Sequence, residues 1–89
     1  MPKKSKGVEE KIKQIVSLMD VVVEDTSIPR NVRRAVSEAR AHLQSDEDII
    51  VRTSSAVYAM DEVSGDINLP LHARTQIWSI LSALESITE

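Results

Sequence analysis

Two pairs of aspartates, Asp20 with Asp25 and Asp61 with Asp66, are the residues whose type and spacing come nearest to catalytic chemistry. Paired carboxylates in unlike environments can divide the work of a general acid and a general base. Here each pair has an arginine, Arg33 or Arg74, within one connector's reach, and the arrangement occurs in both halves of the chain. A recurring Asp–Arg pairing predicts a charge pair that ties two helices together, since structural ion-pair networks mimic functional clusters. Such a pair, if exposed, contributes only about 0–1 kcal/mol. The histidines, His42 and His72, have no Cys, His or Glu at helical metal spacing. The nearest candidate pair, His42 with Asp46, is split between successive elements. With no cysteine there is no thiolate site, disulfide or thiol nucleophile. Gly7 and Gly65 are the only glycines, too few for a phosphate-cradling loop, and no nucleophile motif is present. The expectation is a protein that is not an enzyme and takes neither cofactor nor metal.

A different pattern points to binding. Arg30, Arg33, Arg34 and Arg40, with Ser37 among them, fall opposite Val32, Val36, Ala39 and Leu43 in a helical pattern. This basic stripe, about three turns long, suits phosphates or an acidic protein surface. No aromatic residue interleaves to stack a base. The whole chain carries a formal net charge of -3, which gives no overall pull toward nucleic acid or anionic lipid. The favoured reading of the stripe is a solvated helix face, helped by pairing with acidic neighbours from the first helix. Residues 1–6, with Lys3, Lys4 and Lys6, read as a flexible basic tail, as chain termini commonly are.

The elements that must position these residues follow from apolar spacing. Val8, Ile12, Ile15, Met19 and Val22, widened by Val16, Leu18 and Val23, predict a helix over about 6–24. Val21 points away from that stripe. Pro29 suits the first position of a second helix, and Thr26 and Ser27 before it can offer side-chain oxygens to the exposed amides. That helix buries Val32, Ala35, Val36, Ala39 and Leu43 and ends near Gln44. Ser45 reads as the cap of a third helix, with Asp48 three residues on in a shortened capping box. Ile49, Thr53, Ala56, Val57, Met60 and Val63 make its inner face, and Gly65 closes it in the left-handed conformation. Pro70 opens a fourth helix, which buries Ala73, Ile77, Ile80, Leu84 and Ile87.

The stretch Met19–Arg33 returns as Met60–Arg74. Met19 and Met60, Asp20 and Asp61, Val22 and Val63, Asp25 and Asp66, Pro29 and Pro70, and Arg33 and Arg74 each stand 41 residues apart. That is the signature of an internal duplication. Connectors of a few residues make neighbouring helices antiparallel. Two repeats are too few for an open solenoid, so one αα-hairpin must close on the other. The predicted fold is all-α: one four-helix bundle over 7–89, with repeat 1 at about 8–45, repeat 2 at about 49–86, and pseudo-twofold symmetry. Eighty-nine residues, 42% hydrophobic and 28% charged, suit one small domain, whose core must be aliphatic because there is no Phe, one Tyr and one Trp. No apolar run approaches the roughly 20 residues of a membrane span, and MPKKSKG lacks the apolar segment of a secretory signal. A soluble, cytoplasmic protein with no membrane partner is expected.

Each half, through Val32-Arg33 followed by alanines and Leu43, loosely resembles a HEAT repeat. Asp25 stands farther ahead of Val32-Arg33 than that pattern asks, and the second copy has Ala73-Arg74 instead. Through Asp20–Arg40, with its Ile28-Pro29-x-Asn31-Val32-Arg33 core, and through Asn68-Leu69-Pro70, the chain resembles an uncharacterised family of short all-helical archaeal proteins. The resemblance spans nearly the whole chain. It implies a small four-helix fold and no particular activity.

The two halves also differ. Where repeat 1 has Arg30, Ser37 and Arg40, repeat 2 has Leu71, Trp78 and Leu81. These add an apolar flank to a helix whose core face is already complete. Val51 and Tyr58 do the same on the outer side of the third helix. Aligned apolar residues that include the only aromatics predict a contiguous patch, and Trp and Tyr are common interface anchors. The leading expectation is therefore a module that binds protein, most simply itself, as a homodimer through the fourth helix with the third contributing. Against it stands a packing role in which Trp78 covers the edge of a thin core. The runner-up function is an RNA- or ribosome-associated accessory protein that uses the Arg stripe and basic tail.

Overall fold

Four helices account for most of residues 2–87, the span described by the computed structural model, with side chains described from residue 7 onward. They are α1 (Pro2–Glu24), α2 (Arg30–Leu43), α3 (Ile49–Ser64) and α4 (Leu71–Ile87). α1 packs on α2 and α4, and α3 packs on the same two, so the helices form a closed ring. The expected closure of one hairpin on the other is what the chain adopts. The bundle measures 43 × 20 × 18 Å. α1 begins at Pro2 rather than near residue 6, because proline suits a first helical position and no later residue before Glu24 interrupts the pattern. The lysine side chains of the expected tail lie outside the described residues.

The core is aliphatic and carries the 41-residue offset into its packing. Met19 and Met60, Val32 and Ala73, Val36 and Ile77, Ala39 and Ile80, and Leu43 and Leu84 are all fully buried. Ile28 and Leu69, on the two proline-bearing connectors, close one end of the core. Thr53 occupies the place that Ile12 holds in α1 and is equally buried. Its hydroxyl donates to the Ile49 carbonyl (2.8 Å), so the polar atom is satisfied within its own helix.

One departure has a clear cause. Leu18, expected to widen the α1 stripe, is 45% exposed, whereas its counterpart Ala59 is buried. α2 and α3 are the most closely packed pair of helices, and both carry small buried residues, Ala35 and Ala39 on α2 and Ala56 and Ala59 on α3. The equivalent positions between α1 and α4 are Gln76, Ile80, Ile15 and Leu18. Larger side chains hold those helices farther apart, and Leu18 stays on the rim.

The helix ends also differ from expectation. Pro29 is the residue before α2, with ψ of 146°, and no side chain caps the helix. Ser27 instead turns its hydroxyl and its N–H onto Asp25 Oδ1, at 2.6 and 2.9 Å. Asp48, not Ser45, precedes α3, again with no side-chain cap, and Ser45 Oγ accepts from the Glu47 N–H at 3.4 Å. Gly65 closes α3 at φ −100°, outside the left-handed region, because the Asp66 N–H reaches the Val63 carbonyl (3.1 Å) in an ordinary turn.

Candidate functional site

The two proline-bearing connectors lie together at one end of the bundle and are built alike. Asp25 and Asp66 each donate their N–H to the carbonyl three residues back, Val22 or Val63, at 3.2 and 3.1 Å. Each then accepts from an N–H two residues on, Ser27 (2.9 Å) or Asn68 (2.8 Å), at Oδ1. This is the Asx turn that short acidic side chains favour. The second oxygen of each carboxylate reaches the opposite hairpin. Asp25 Oδ2 lies 3.0 Å from His72 Nε2, and Asp66 Oδ2 accepts from Asn31 Nδ2 at 3.1 Å. Asn31 and His72 are themselves 41 residues apart, so the cross-links are reciprocal.

This geometry overturns the expected Asp–Arg pairing. Arg33 donates Nε to the Ile28 carbonyl (3.0 Å), and the Arg74 side chain makes no hydrogen bond or ion pair among the described residues. The connector aspartates fold onto their own turns, which aims their free oxygens across the junction rather than back along the hairpin. Ser27 holds the Asp25 carboxyl below its ordinary value through its hydroxyl and then its N–H, with His72 adding to the effect. The Asn68 N–H and then Asn31 do the same for Asp66. Each bond favours the charged form.

Ser27, His72 and Asp25 are the residue types of a hydrolytic triad, but not its arrangement. A triad needs the imidazole between nucleophile and carboxylate, one ring nitrogen toward each. Here Ser27 Oγ (3.3 Å) and Asp25 Oδ2 (3.0 Å) share Nε2, and the serine hydroxyl is committed to Asp25. The cluster fastens the junction and relays no proton through the ring. Among the described residues no group of three His, Asp or Glu could hold a metal ion.

The arginine stripe is divided. Arg40 forms a close ion pair with Asp20 of α1 and also reaches Ser37 Oγ at 3.5 Å. With Arg33 held on Ile28, Arg30 and Arg34 are the exposed arginines of the stripe whose side chains bind nothing among the described residues. Sequence reasoning missed Arg52, which donates Nε to the Leu43 carbonyl at the end of α2 (2.9 Å) and contacts Glu9 of α1 at 3.5 Å. A cation suits a helix C-terminus. The signal was present in its position just after the second connector, but no pairing rule links residues in different helices.

Most of the apolar residues singled out on α3 and α4 are exposed. Leu71 is 78% exposed, Tyr58 72% and Trp78 64%, and Val51, near the start of α3, is exposed as well. Trp78 therefore does not seal the bundle's edge. Leu81 differs: it is half-buried against the core, because its place on α4 faces α3. Trp78 and Leu81 border a groove with Ser64 and Gly65, while Tyr58 borders a neighbouring one with Asp61 and Leu84. Ile67, at 88% the most exposed of the large apolar residues, was missed because it sits on a connector outside any helical pattern.

The family model for an uncharacterised protein family, UPF0147, matches residues 1–87. The chain belongs to the UPF0147 family. The UPF0147 protein MJ1419 of Methanocaldococcus jannaschii is 46% identical to it over 80 residues, which cover 89% of this chain and 86% of that one. Relatives in other archaea, Pyrococcus horikoshii and Archaeoglobus fulgidus among them, carry the same family name. A solved structure of the unknown function protein MMP1188 matches with a TM-score of 0.83 at 43% identity, covering 88% of this chain and 90% of that one. A UPF0147 protein from Thermoplasma acidophilum also matches at 0.83, with 30% identity and 89% and 94% coverage.

The UPF0147 fold is thus the four-helix bundle described above. No helix among the described residues is long and apolar enough to cross a membrane.

Proposed function

We propose that this UPF0147 chain is a cytoplasmic, non-enzymatic helical module that works by binding protein, most simply a second copy of itself. Its contact surface is the outer face of α4, Leu71 and Trp78 with Leu81 at the flank, and Val51 and Tyr58 of α3 extend it. One observation carries the reading. The core beneath α4 is complete with Ala73, Ile77, Ile80 and Leu84, yet Leu71 and Trp78 remain in solvent. At the same places on α2 the chain uses Arg30 and Ser37, so the fold itself asks for nothing apolar there. No cofactor or metal belongs to the reading.

The second reading, an RNA- or ribosome-associated accessory role, has Arg30 and Arg34 in its favour. Against it, Arg33 and Arg40 are already engaged within the protein. Titrating the protein with RNA at several salt concentrations separates the two. Binding that steepens as salt falls, and is lost on Arg30→Ala with Arg34→Ala, is the result for RNA. No binding at low salt, together with a native mass above that of one chain, is the result for self-association.

A further inference from the structure

Along the outer side of α4, Leu71, Thr75, Trp78, Ser82 and Glu85 follow one another in steps of four, three, four and three. That is the spacing of a coiled-coil seam, where side chains of one helix interlock with those of another. All five are exposed, so no helix among the described residues covers the seam. Bulk alternates along it, Leu, Thr, Trp, Ser. Beside Trp78, a shallow hollow on the helix surface is lined by Arg74, Thr75, Ser79 and Ser82. The projecting Leu71 stands seven residues before Trp78 on the same helix.

We infer that α4 pairs antiparallel with α4 of a second copy, about a twofold axis beside Thr75. The inference rests on the self-association reading above. In this register Leu71 of each copy enters the hollow beside the other's Trp78, Thr75 faces its own equivalent, and Ile67 reaches Ser82. A projection and a hollow on one helix, seven residues apart, are both filled by this single operation, which is what a closed isologous contact requires. Parallel pairing sets Leu71 against Leu71 and leaves hollow facing hollow. Charge points the same way. From Leu71 to Ser82 the seam residues are neutral, so two chains of net charge -3 can meet there. The equivalent positions on α2 begin with Arg30 and Arg34, which would face like charges in a second copy. The two Arg74 side chains flank the axis on one side, so added salt tightens the pair, opposite to the salt response of RNA binding. α4 has 17 residues, about 25 Å of helix. One such seam is smaller than the roughly 800 Å² per partner of a standard interface, so the dimer is reversible.

The chain has no cysteine, which makes disulfide trapping clean. Thr75→Cys is tested against Arg34→Cys, its counterpart 41 residues earlier, under mild oxidation with sedimentation of the reduced proteins alongside. Expected are a linked dimer for Thr75→Cys, none for Arg34→Cys, and a dissociation constant at least about tenfold higher in Trp78→Ala with unchanged helix content. Leu71→Ser is read in place of Trp78→Ala if the latter loses helix content. A wild type that sediments as a dimer while Thr75→Cys stays unlinked overturns the α4 pairing and leaves self-association standing. A wild type that is monomeric at high micromolar concentration overturns both.

Discussion

Gln76 shows how much a single position can report. Its Oε1 is buried and is the one such side-chain atom without a partner among the described residues. Its counterpart on α2 is Ala35, which needs none. A buried acceptor left unmade costs about 1–3 kcal/mol. Gln76→Met, which keeps the volume and removes the acceptor, is expected to raise stability by about 1 kcal/mol in chemical denaturation; a loss of that size would mean that the amide is satisfied after all. Met19 and Met60 are fully buried at equivalent places, and replacing either with Ala is expected to cost about 2–5 kcal/mol. Near-neutral outcomes at both would remove them from the core. The connector aspartates give a pH signature. Asp25 and Asp66 titrate below their ordinary value of 3.8 in the folded protein. Their contribution is therefore present above the unfolded carboxylate value and is lost as pH falls through the lowered folded values. Denaturation midpoints measured from pH 6 down to 2 are expected to fall at the acid end, and to fall less in Asp25→Asn with Asp66→Asn; an unchanged acid limb would deny these carboxylates that role.

At the scale of elements, the helices were legible because period and burial agree. Ile12, Ile15, Met19 and Val22 recur on one face and are all buried, and the prolines at 29 and 70 stop any helix from running through. The caps were not legible. Ser45 and Asp48 have the right types in roughly the right places, but which polar atom reaches a free N–H depends on a degree of backbone rotation that sequence does not encode. The Asp25–His72 bond joins residues 47 apart in different hairpins, so no local pattern shows it. The equivalence of Asn31 and His72 was readable, but its meaning needed the two connectors side by side. The unequal helix spacing was also readable in principle, from four alanines against Gln76, Ile80, Ile15 and Leu18. It gives a test: Ala56→Leu, in the closely packed α2–α3 contact, is expected to destabilise by about 1–3 kcal/mol through overpacking. Tolerance of leucine there, read from the denaturation midpoint, would show that the contact is loose.

For the whole molecule, the offset of 41 makes one half a control for the other. Most positions buried in both halves are aliphatic in both, as Leu43 and Leu84 are, with Ile12 and Thr53 the exception, whereas outer positions change from Arg30 and Ser37 to Leu71 and Trp78. The exposure of Leu71 and Trp78 was legible for that reason, though Leu18, Val21 and Ile50 are exposed apolar residues elsewhere on the bundle. Two other positions were not: Leu81 packs against the core, and Ile67 is exposed on a connector. Sedimentation equilibrium of the wild type and of Leu71→Ser with Trp78→Ala, from low to high micromolar, tests the proposal that this face binds a second copy. The wild type is expected to approach twice the chain mass of 9.9 kDa, and the double variant to remain at 9.9 kDa with unchanged helix content. A wild type that stays at the single-chain mass throughout would contradict it.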